Sequence, residues 1–454
     1  MATSKDKKEN LYLSQEMFIK MKNVYVVILV ILYACSKSKD MPQETVPATI
    51  PPATTPINTT APTTYDYKNL KNPSCETQNT PINEDILNIV VNAKNSLGQS
   101  ASEIINKGIS ASATSYLDFN GDGLEDFYVH PVTNLSFQGK EKVAGQVYLN
   151  VNGKYVYDEN TIDTAQIPKM YLARKSIVGD FNNDARPDLF LAGFGMDQSP
   201  FLGEANALIL SIPSGKYKKV EFNNNIGVFH SVCSGDIDKD GDLDIFALAD
   251  DKSYFLINDG KGNFTITTNI INLASLGSLF TSELYDINKD GYMDLILGGH
   301  EFSVKDTSFK IATEYEGATR IYWGNSNYKY NEENVSYLPV NSYFGVVLDF
   351  DFADLDGDGK LEIAINRTGG RLVNKVLTDF YKNWAIQILK FDGTKWLDKT
   401  GAFIEAGMDL TVSKGPTWMK FYNKNDRLYY ESLNINGDPL LQWVWENNKL
   451  KRLK

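Results

Sequence analysis

A nine-residue acidic segment that recurs five times constrains this chain more than any other feature. Each copy has Asp at position 1, Asp or Asn at position 3, Asp at position 5 and Asp or Glu at position 9. Self-similarity at a spacing of about 60 residues predicts a repeat architecture, in which every repeat is one structural unit. The copies, called loops one to five below, cover residues 118–126, 180–188, 236–244, 286–294 and 354–362.

The oxygens at positions 1, 3, 5 and 9 of each loop are candidate ligands of a hard cation. Ca²⁺ takes six to eight oxygen ligands, and alternate side chains of a tight loop converge on one point. Gly at position 6 in four loops allows a positive φ, whereas loop two has Ala185 there. We therefore predict up to five Ca²⁺ ions with a structural role. The predicted ligands are Asp118, Asn120, Asp122 and Asp126; Asp180, Asn182, Asp184 and Asp188; Asp236, Asp238, Asp240 and Asp244; Asp286, Asn288, Asp290 and Asp294; and Asp354, Asp356, Asp358 and Glu362.

An EF-hand is excluded by the residues C-terminal to each loop. An EF-hand loop ends in a bidentate Glu at position 12 and continues into a helix. Position 12 here is apolar in every loop, and the residues after each loop form short runs rich in β-branched and aromatic side chains. Each loop is therefore expected to lead into a buried strand.

A second recurrent element predicts β-hairpins between the loops. Residues 147–157, 254–264, 321–330 and 388–396 each show an apolar run, a turn rich in Asn, Asp or Gly, and a second run. One loop strand and one hairpin per repeat give the four-stranded sheet of a propeller blade.

The five loops resemble the FG-GAP or VCBS repeats, which form the calcium-loop blades of integrin alpha subunits and of many bacterial surface proteins. The resemblance covers residues 118–400, and Phe344-Gly345 before loop five matches part of the integrin-type signature. It implies an all-β propeller of six or seven blades, with the Ca²⁺ loops in connections between outer strands on one face.

We predict seven four-stranded blades, with six as the alternative. Five blades carry loops, and strand-like runs at residues 418–422, 428–433 and 440–445 suggest one or two blades without a loop. Apolar residues at helical spacing within residues 82–105 predict a short helix before the ring, so the propeller domain is expected to cover residues 81–454.

The N-terminal segment predicts export. Residues 24–34 form an apolar run behind Lys20 and Lys22, which is too short to cross a membrane and is typical of a signal peptide. Cys35 ends a segment that resembles the bacterial lipobox, so we expect residues 1–34 to be removed and Cys35 to be lipidated. Residues 35–80, rich in Thr and Pro, are expected to form an extended tether.

Composition narrows the function. The net charge of −12 argues against nucleic-acid binding, which depends on basic side chains. The three His residues show no catalytic or zinc-binding order and are interpreted as structural, and the six Trp residues as core packing rather than sugar stacking. Cys75 and Cys233 are candidates for a disulfide after export.

These observations predict a lipid-anchored, non-enzymatic Ca²⁺-binding propeller of the bacterial cell envelope, expected at the outer membrane. Its face would recognise a protein or a glycan, while the lipid anchor would contact the membrane. Two alternatives stay open, namely a polysaccharide lyase or hydrolase that uses the propeller pocket, and a scaffold for an outer-membrane assembly.

Overall fold

The computed structural model describes residues 110–249, 253–268, 270–271, 279–305, 308–311, 319–341, 343–373, 376–412, 415–424, 427–432 and 441–453. No helix within these residues is long and apolar enough to cross a membrane. The predicted signal peptide, Cys35, the tether, the short helix within residues 82–105 and Cys75 lie outside the described residues.

The described chain forms six four-stranded antiparallel sheets, which follow one another along the sequence. The first three consist of β1 (Ser110–Leu117), β2 (Asp126–Val132), β4 (Gln146–Val151) and β5 (Lys154–Asp158); β7 (Ala173–Gly179), β8 (Asp188–Gly193), β9 (Glu204–Ser211) and β10 (Tyr217–Gly227); and β11 (Phe229–Gly235), β12 (Asp244–Ala249), β13 (Tyr254–Asn258) and β14 (Phe264–Thr267). The last three consist of β15 (Leu279–Tyr285), β16 (Asp294–Gly299), β19 (Arg320–Tyr322) and β20 (Val335–Tyr337); β21 (Val346–Ala353), β22 (Glu362–Thr368), β25 (Trp384–Phe391) and β26 (Trp396–Asp398); and β28 (Met419–Lys424), β29 (Arg427–Ser432), β30 (Gln442–Glu446) and β31 (Lys449–Arg452).

The segments that connect these strands contain several short strands and two one-turn helices. They are β3 (Val143–Ala144) paired with β6 (Lys169–Met170), β17 (Phe302–Lys305) paired with β18 (Ser308–Ile311), β23 (Arg371–Val373) paired with β24 (Val376–Thr378), β27 (Met408–Asp409) paired with β25, and the one-turn helices α1 (Asn134–Phe137) and α2 (Thr400–Phe403). The described residues thus form an all-β structure with almost no helix, as predicted.

The sheets are the blades of a propeller. Five apolar clusters each join two successive blades, so that the core lies between the blades. Strands β2, β8, β12, β16 and β22 are buried along their whole length. Their largely apolar sequences reflect this position, because each faces a neighbouring blade on both sides. The prediction that each loop leads into a buried strand is confirmed.

Contacts across the centre show that the blades form a ring. The Nζ atom of Lys175 on β7 lies 3.1 Å from an Oε1 atom of Glu283 on β15. The same Nζ atom lies 4.8 Å from the ring centroid of Trp418, which precedes β28. Blades two, four and six therefore meet near the axis.

Within the described residues the blades number six, which corresponds to the alternative rather than to the favoured seven. The three C-terminal runs form one blade without an acidic loop. They supply β28, β29 and β30 of the sixth sheet, so no run is left for another blade.

Two hairpin expectations need correction. The expected hairpin at residues 321–330 is wrong, because β19 pairs with β20, which begins only at Val335. Tyr330 instead buries its ring against blade three and donates its hydroxyl to the Met293 carbonyl at 2.8 Å. In blade two, β9 and β10 form a hairpin around Pro213 and Gly215 that was not predicted. The other three hairpins are confirmed.

Candidate metal centres

All five loops lie at one end of the propeller. Each connects the first, innermost strand of its blade to the second strand, and the first strands all run in the same direction around the axis. The implication that the loops join outer strands is therefore wrong, although their position on one face is confirmed. The inner position also places each loop beside the loop of the next blade.

Two residues of every loop adopt left-handed backbone conformations. At position 6 the φ angles are +83° for Gly123, +65° for Ala185, +93° for Gly241, +87° for Gly291 and +86° for Gly359. Loop two thus keeps the shape of the other loops despite its Ala. Position 4 is also left-handed, occupied by Gly121, Asn183, Lys239, Lys289 and Gly357. This second requirement was missed, although Gly or Asn at position 4 in three loops signalled it.

These turns direct backbone N–H groups at the carboxylates. In every loop the position 6 N–H donates to the position 1 carboxylate, at 2.8–3.1 Å. The position 7 N–H likewise donates to the position 5 carboxylate, at 2.8–3.0 Å. Because both groups are held by backbone donors, their oxygens are oriented before any ligand arrives.

The position 9 carboxylate is the buried anchor of each loop. One oxygen accepts the N–H of position 2, at 2.7–2.9 Å. In loops one to four the other oxygen accepts an N–H of the third strand region, from Asn150, Ser211, Asn258 and Gly324 at 2.7–2.8 Å. The anchor therefore ties the loop to the sheet, a role that the sequence did not reveal.

Burial makes ionisation of the anchors costly. It raises the pKa of Asp126 to about 7 and those of Asp188 and Asp244 to about 8, against the lowering effect of the two backbone donors. It also raises the pKa of Asp294 well above its usual value and, less strongly, that of Glu362. A nearby cation would favour the ionised form of each group.

Loops three and five each bring three carboxylates within 4.8 Å of one another: Asp236, Asp238 and Asp244, and Asp354, Asp356 and Glu362. The Oδ1 atoms of Asp236, Asp238 and Asp354 are buried and make no hydrogen bond within the described residues. Orphaned buried carboxylate oxygens are costly unless a cation satisfies them. Since the donors of loop three are all hard oxygens, this site fits Ca²⁺.

Loops one, two and four have Asn at position 3, and this side chain is engaged within the loop. Asn120, Asn182 and Asn288 each donate from Nδ2 to the position 5 carboxylate, at 3.0–3.3 Å. Their Oδ1 atoms accept the position 5 N–H at 2.9–3.1 Å. The predicted side chains thus converge in these loops as well, with one carboxylate fewer.

Neighbouring loops contact each other through position 4. Asn183 of loop two donates to Oδ1 of Asp242 in loop three at 2.5 Å. Lys239 of loop three lies 4.4 Å from the ring centroid of Tyr292 in loop four. Lys289 of loop four donates to the Gly359 carbonyl of loop five at 2.7 Å. These contacts were not predicted, because they depend on the packing of separate blades.

The opposite end of the propeller carries a row of rings, called the ring row below. Its members, Phe194, His230, Phe280, His300, Phe380 and Tyr381, cross blades two to five with successive centroid distances of 4.1–5.4 Å. Most are buried or half-buried, whereas the Tyr381 side chain is exposed. His230 and His300 are only six residues away in sequence from loops three and four, but both lie at the far end of the propeller.

The remaining candidates are mostly packed inside the protein. Five Trp residues are buried and Trp445 is half-buried against the same core, which supports the interpretation as core packing. His130 is fully buried, and burial lowers its pKa to about 4. Cys233 is buried and its Sγ atom lies 3.5 Å from the Ser282 hydroxyl. Its pairing with Cys75 stays a prediction.

Six blades with an acidic loop in five of them define a β-propeller with repeated acidic loops. Residues 216–297 match the model of the FG-GAP-like repeat, and this stretch contains loops three and four. The chain is a β-propeller in which this stretch matches an FG-GAP-like repeat, in agreement with the sequence resemblance. No curated protein sequence matches the chain significantly.

Solved structures resemble the chain only distantly. An Agrocybe aegerita lectin that recognises non-reducing terminal N-acetylglucosamine shares 14% identity, with 63% of this chain and 79% of the lectin covered and a TM-score of 0.30. The inulosucrase of Halalkalicoccus jeotgali shares 10% identity over 78% of this chain and 96% of the enzyme, with a TM-score of 0.38. Trypanosoma rangeli sialidase shares 12% identity over 83% of this chain and 56% of the sialidase, with a TM-score of 0.36.

Proposed function

We propose that this protein is a Ca²⁺-binding recognition module of the bacterial cell envelope, held at the membrane through a lipid on Cys35. The metal part of the proposal is supported by loop three, where Asp236, Asp238 and Asp244 cluster and where Asp236 and Asp238 each have a buried oxygen without a hydrogen bond. When bound, Ca²⁺ would neutralise the clustered carboxylates. Each loop joins two strands of its blade, so the ion would stabilise the blade from one end.

The ring row is the proposed recognition surface. The loops occupy one end of the propeller, which leaves the opposite end for a partner. Phe280, Phe380 and Tyr381, the half-buried and exposed members of the ring row, offer apolar surface and a polar edge at this end, and such aromatic side chains are common in binding interfaces. The proposed ligand is a protein or a glycan, and the proposed role is binding rather than catalysis.

Calcium dependence is tested by thermal unfolding of the full chain with Ca²⁺ and with EGTA. A site that binds only the folded state stabilises it by about 2.7 kcal/mol when the free ion is at 100 times Kd. An unfolding entropy of about 2.1 cal/mol/K per residue gives roughly 0.7 kcal/mol/K for this propeller, so each site should raise Tm by about 4 °C. Mg²⁺ should act more weakly, because it demands a tighter octahedral site.

A matched pair of variants assigns the effect to a loop. Asp236→Ala removes the position 1 ligand of loop three and should reduce the Ca²⁺-induced rise in Tm. Asp259→Ala removes an exposed carboxylate from the adjacent hairpin and should leave that rise unchanged. An equal Tm with Ca²⁺ and with EGTA would refute the metal proposal.

The recognition surface is tested with two exposed tyrosines that both have positive φ angles. Tyr381 lies in the ring row with φ +56°, and Tyr328 lies near loop four, beside Tyr292, with φ +53°. We expect Tyr381→Ala to weaken binding to a glycan array or to solubilised host membranes at least tenfold, whereas Tyr328→Ala should not. Equal effects of both variants would argue against this surface. Turnover of a polysaccharide by the full chain would favour the enzymatic alternative instead.

A further inference from the structure

Loop five differs from the other loops because the chain supplies a cation to it. The Nζ atom of Lys390 lies 2.6 Å from Oδ2 of Asp356, 2.8 Å from Oδ2 of Asp358 and 3.0 Å from Oε1 of Glu362. An ammonium group has three donors, and here each one reaches a different carboxylate. Such charge-assisted hydrogen bonds are roughly twice as strong as neutral ones. Lys390 therefore occupies the place where positions 3, 5 and 9 converge.

The position of Lys390 in the sheet is occupied by apolar residues in the other loop-bearing blades. In all five blades the residue after the loop pairs with a residue of the third strand, as Ile363 does with Leu389. In blade five the residue that follows this paired residue in the chain is Lys390. The equivalent residues in blades one to four are Leu149, Leu210, Ile257 and Trp323. The Lys is thus specific to the fifth blade.

The anchor of loop five is matched to this Lys. Position 9 is Asp in the other four loops and Glu in loop five, which adds one methylene. Glu362 still accepts the Leu355 N–H through Oε2 at 2.7 Å, so the tie to the loop is kept. Its other oxygen, however, accepts Lys390 Nζ, whereas in the other loops that oxygen accepts a backbone N–H. The two substitutions therefore act as a pair.

We propose that Lys390 is a tethered cation that replaces Ca²⁺ in loop five, so that the chain binds one ion fewer than it has acidic loops. A Ca²⁺ ion in loop five would need the oxygens that Lys390 already holds, and it would lie beside a positive charge. Within the described residues, Oδ1 of Asp354 is a buried carboxylate oxygen of this loop that makes no hydrogen bond. This inference rests on the proposed function only in that loops one to four are taken to bind Ca²⁺.

The test is the number of Ca²⁺ ions bound by the full chain, measured by isothermal titration calorimetry and by metal analysis after dialysis. The wild type should bind four ions. Lys390→Leu restores the apolar residue type of the other blades and should bind five, a gain of one site. Lys395→Leu removes an exposed Lys from the same hairpin and should still bind four.

The reverse substitution guards against misfolding of the first variant. Ile257→Lys places a Lys at the equivalent position beside the carboxylates of loop three, and it should lower the stoichiometry by one. Five ions bound by the wild type, or an unchanged stoichiometry in a folded Lys390→Leu variant, would overturn the assignment of Lys390. A wild type that binds no Ca²⁺ would instead refute the proposed function, and a site gained by Lys390→Leu would still support the role of Lys390.

Discussion

The buried ion pair of Arg367 and Glu301 gives the sharpest stability prediction. Arg367 is 0% exposed and Glu301 2% exposed. The guanidinium donates from Nη1 to Oε2 of Glu301 at 2.6 Å and from Nη2 to Oε1 at 3.0 Å, and its Nε donates to Gln387 at 2.8 Å. Glu301 also accepts from the Thr319 hydroxyl at 2.6 Å and the Asn341 N–H at 3.0 Å. The pair joins blade five to the end of blade four, directly beside His300 of the ring row.

We expect Arg367→Met to destabilise the protein by about 3–5 kcal/mol, because it leaves the Glu301 carboxylate buried without its cation. At roughly 0.7 kcal/mol/K for this propeller, this loss lowers Tm by about 4–7 °C. Adding Glu301→Gln to that variant removes the uncompensated charge and should recover part of the loss. Calorimetry of the four proteins of this double-mutant cycle measures the coupling.

An exposed pair of the same residue types is the control. Arg427 and Glu446 in blade six are 2.7 Å apart, but their side chains are 55% and 35% exposed. Solvent screening limits such pairs to about 0–1 kcal/mol, so Arg427→Met should shift Tm by little more than 1 °C. Equal losses at the buried and the exposed pair would refute the reasoning, as would a Glu301→Gln substitution that adds its full cost to Arg367→Met.

Two further predictions concern the loops. Ala185→Gly should stabilise the protein by about 0.5–1 kcal/mol. Ala at φ +65° costs about 1–2 kcal/mol, and the larger conformational entropy that Gly loses on folding offsets part of the relief. Gly123→Ala, whose Cβ would meet no atom within 4 Å, should cost a similar amount in urea unfolding, and a stabilising Gly123→Ala would contradict this. The second concerns pH. Burial raises the pKa values of Asp126, Asp188 and Asp244 to about 7, 8 and 8, so the folded state without Ca²⁺ holds protons that the unfolded chain has released. Stability in EGTA should therefore fall from pH 6.5 to 8.5, while the Ca²⁺-induced rise in Tm should grow, because the ion competes with those protons. A Ca²⁺ effect that shrinks over this range would contradict the role of these groups.

The loops and the strands after them were predictable because their determinants are local. A left-handed position 6, alternating oxygens and an apolar run directly after the loop are all encoded within a dozen residues, so five copies identified the propeller. Three of four hairpins were predictable for the same reason. The prediction of a hairpin at residues 321–330 was wrong because Tyr330 packs against blade three. A contact with another blade does not change the local pattern of apolar residues, so the sequence did not indicate it.

The number of blades and the details of the sites depend on contacts between distant residues. Three C-terminal apolar runs are compatible with one blade or two until their pairing is known. The anchoring of position 9 by Asn150 or Asn258 depends on strand register, as does the approach of Lys390 to loop five. Asn150, Asn258 and Lys390 are far in sequence from the carboxylates that they contact and belong to no recognisable motif. The sequence pattern therefore predicted the candidate ligands but not the protein groups that hydrogen-bond to them.

Repulsion between clustered carboxylates destabilises every loop, and the fold reduces this repulsion in more than one way. Like charges at these distances repel strongly unless a proton or a cation intervenes. The raised pKa values of the anchors allow a proton to be held near neutral pH, and Lys390 brings a cation to loop five. Loop three has four carboxylates at the same positions as loop five, but Ile257 lies at the position that corresponds to Lys390. Because the two loops carry carboxylates at the same four positions, exchanging Ile257 and Lys390 between them separates the contribution of the acidic motif from that of its surroundings.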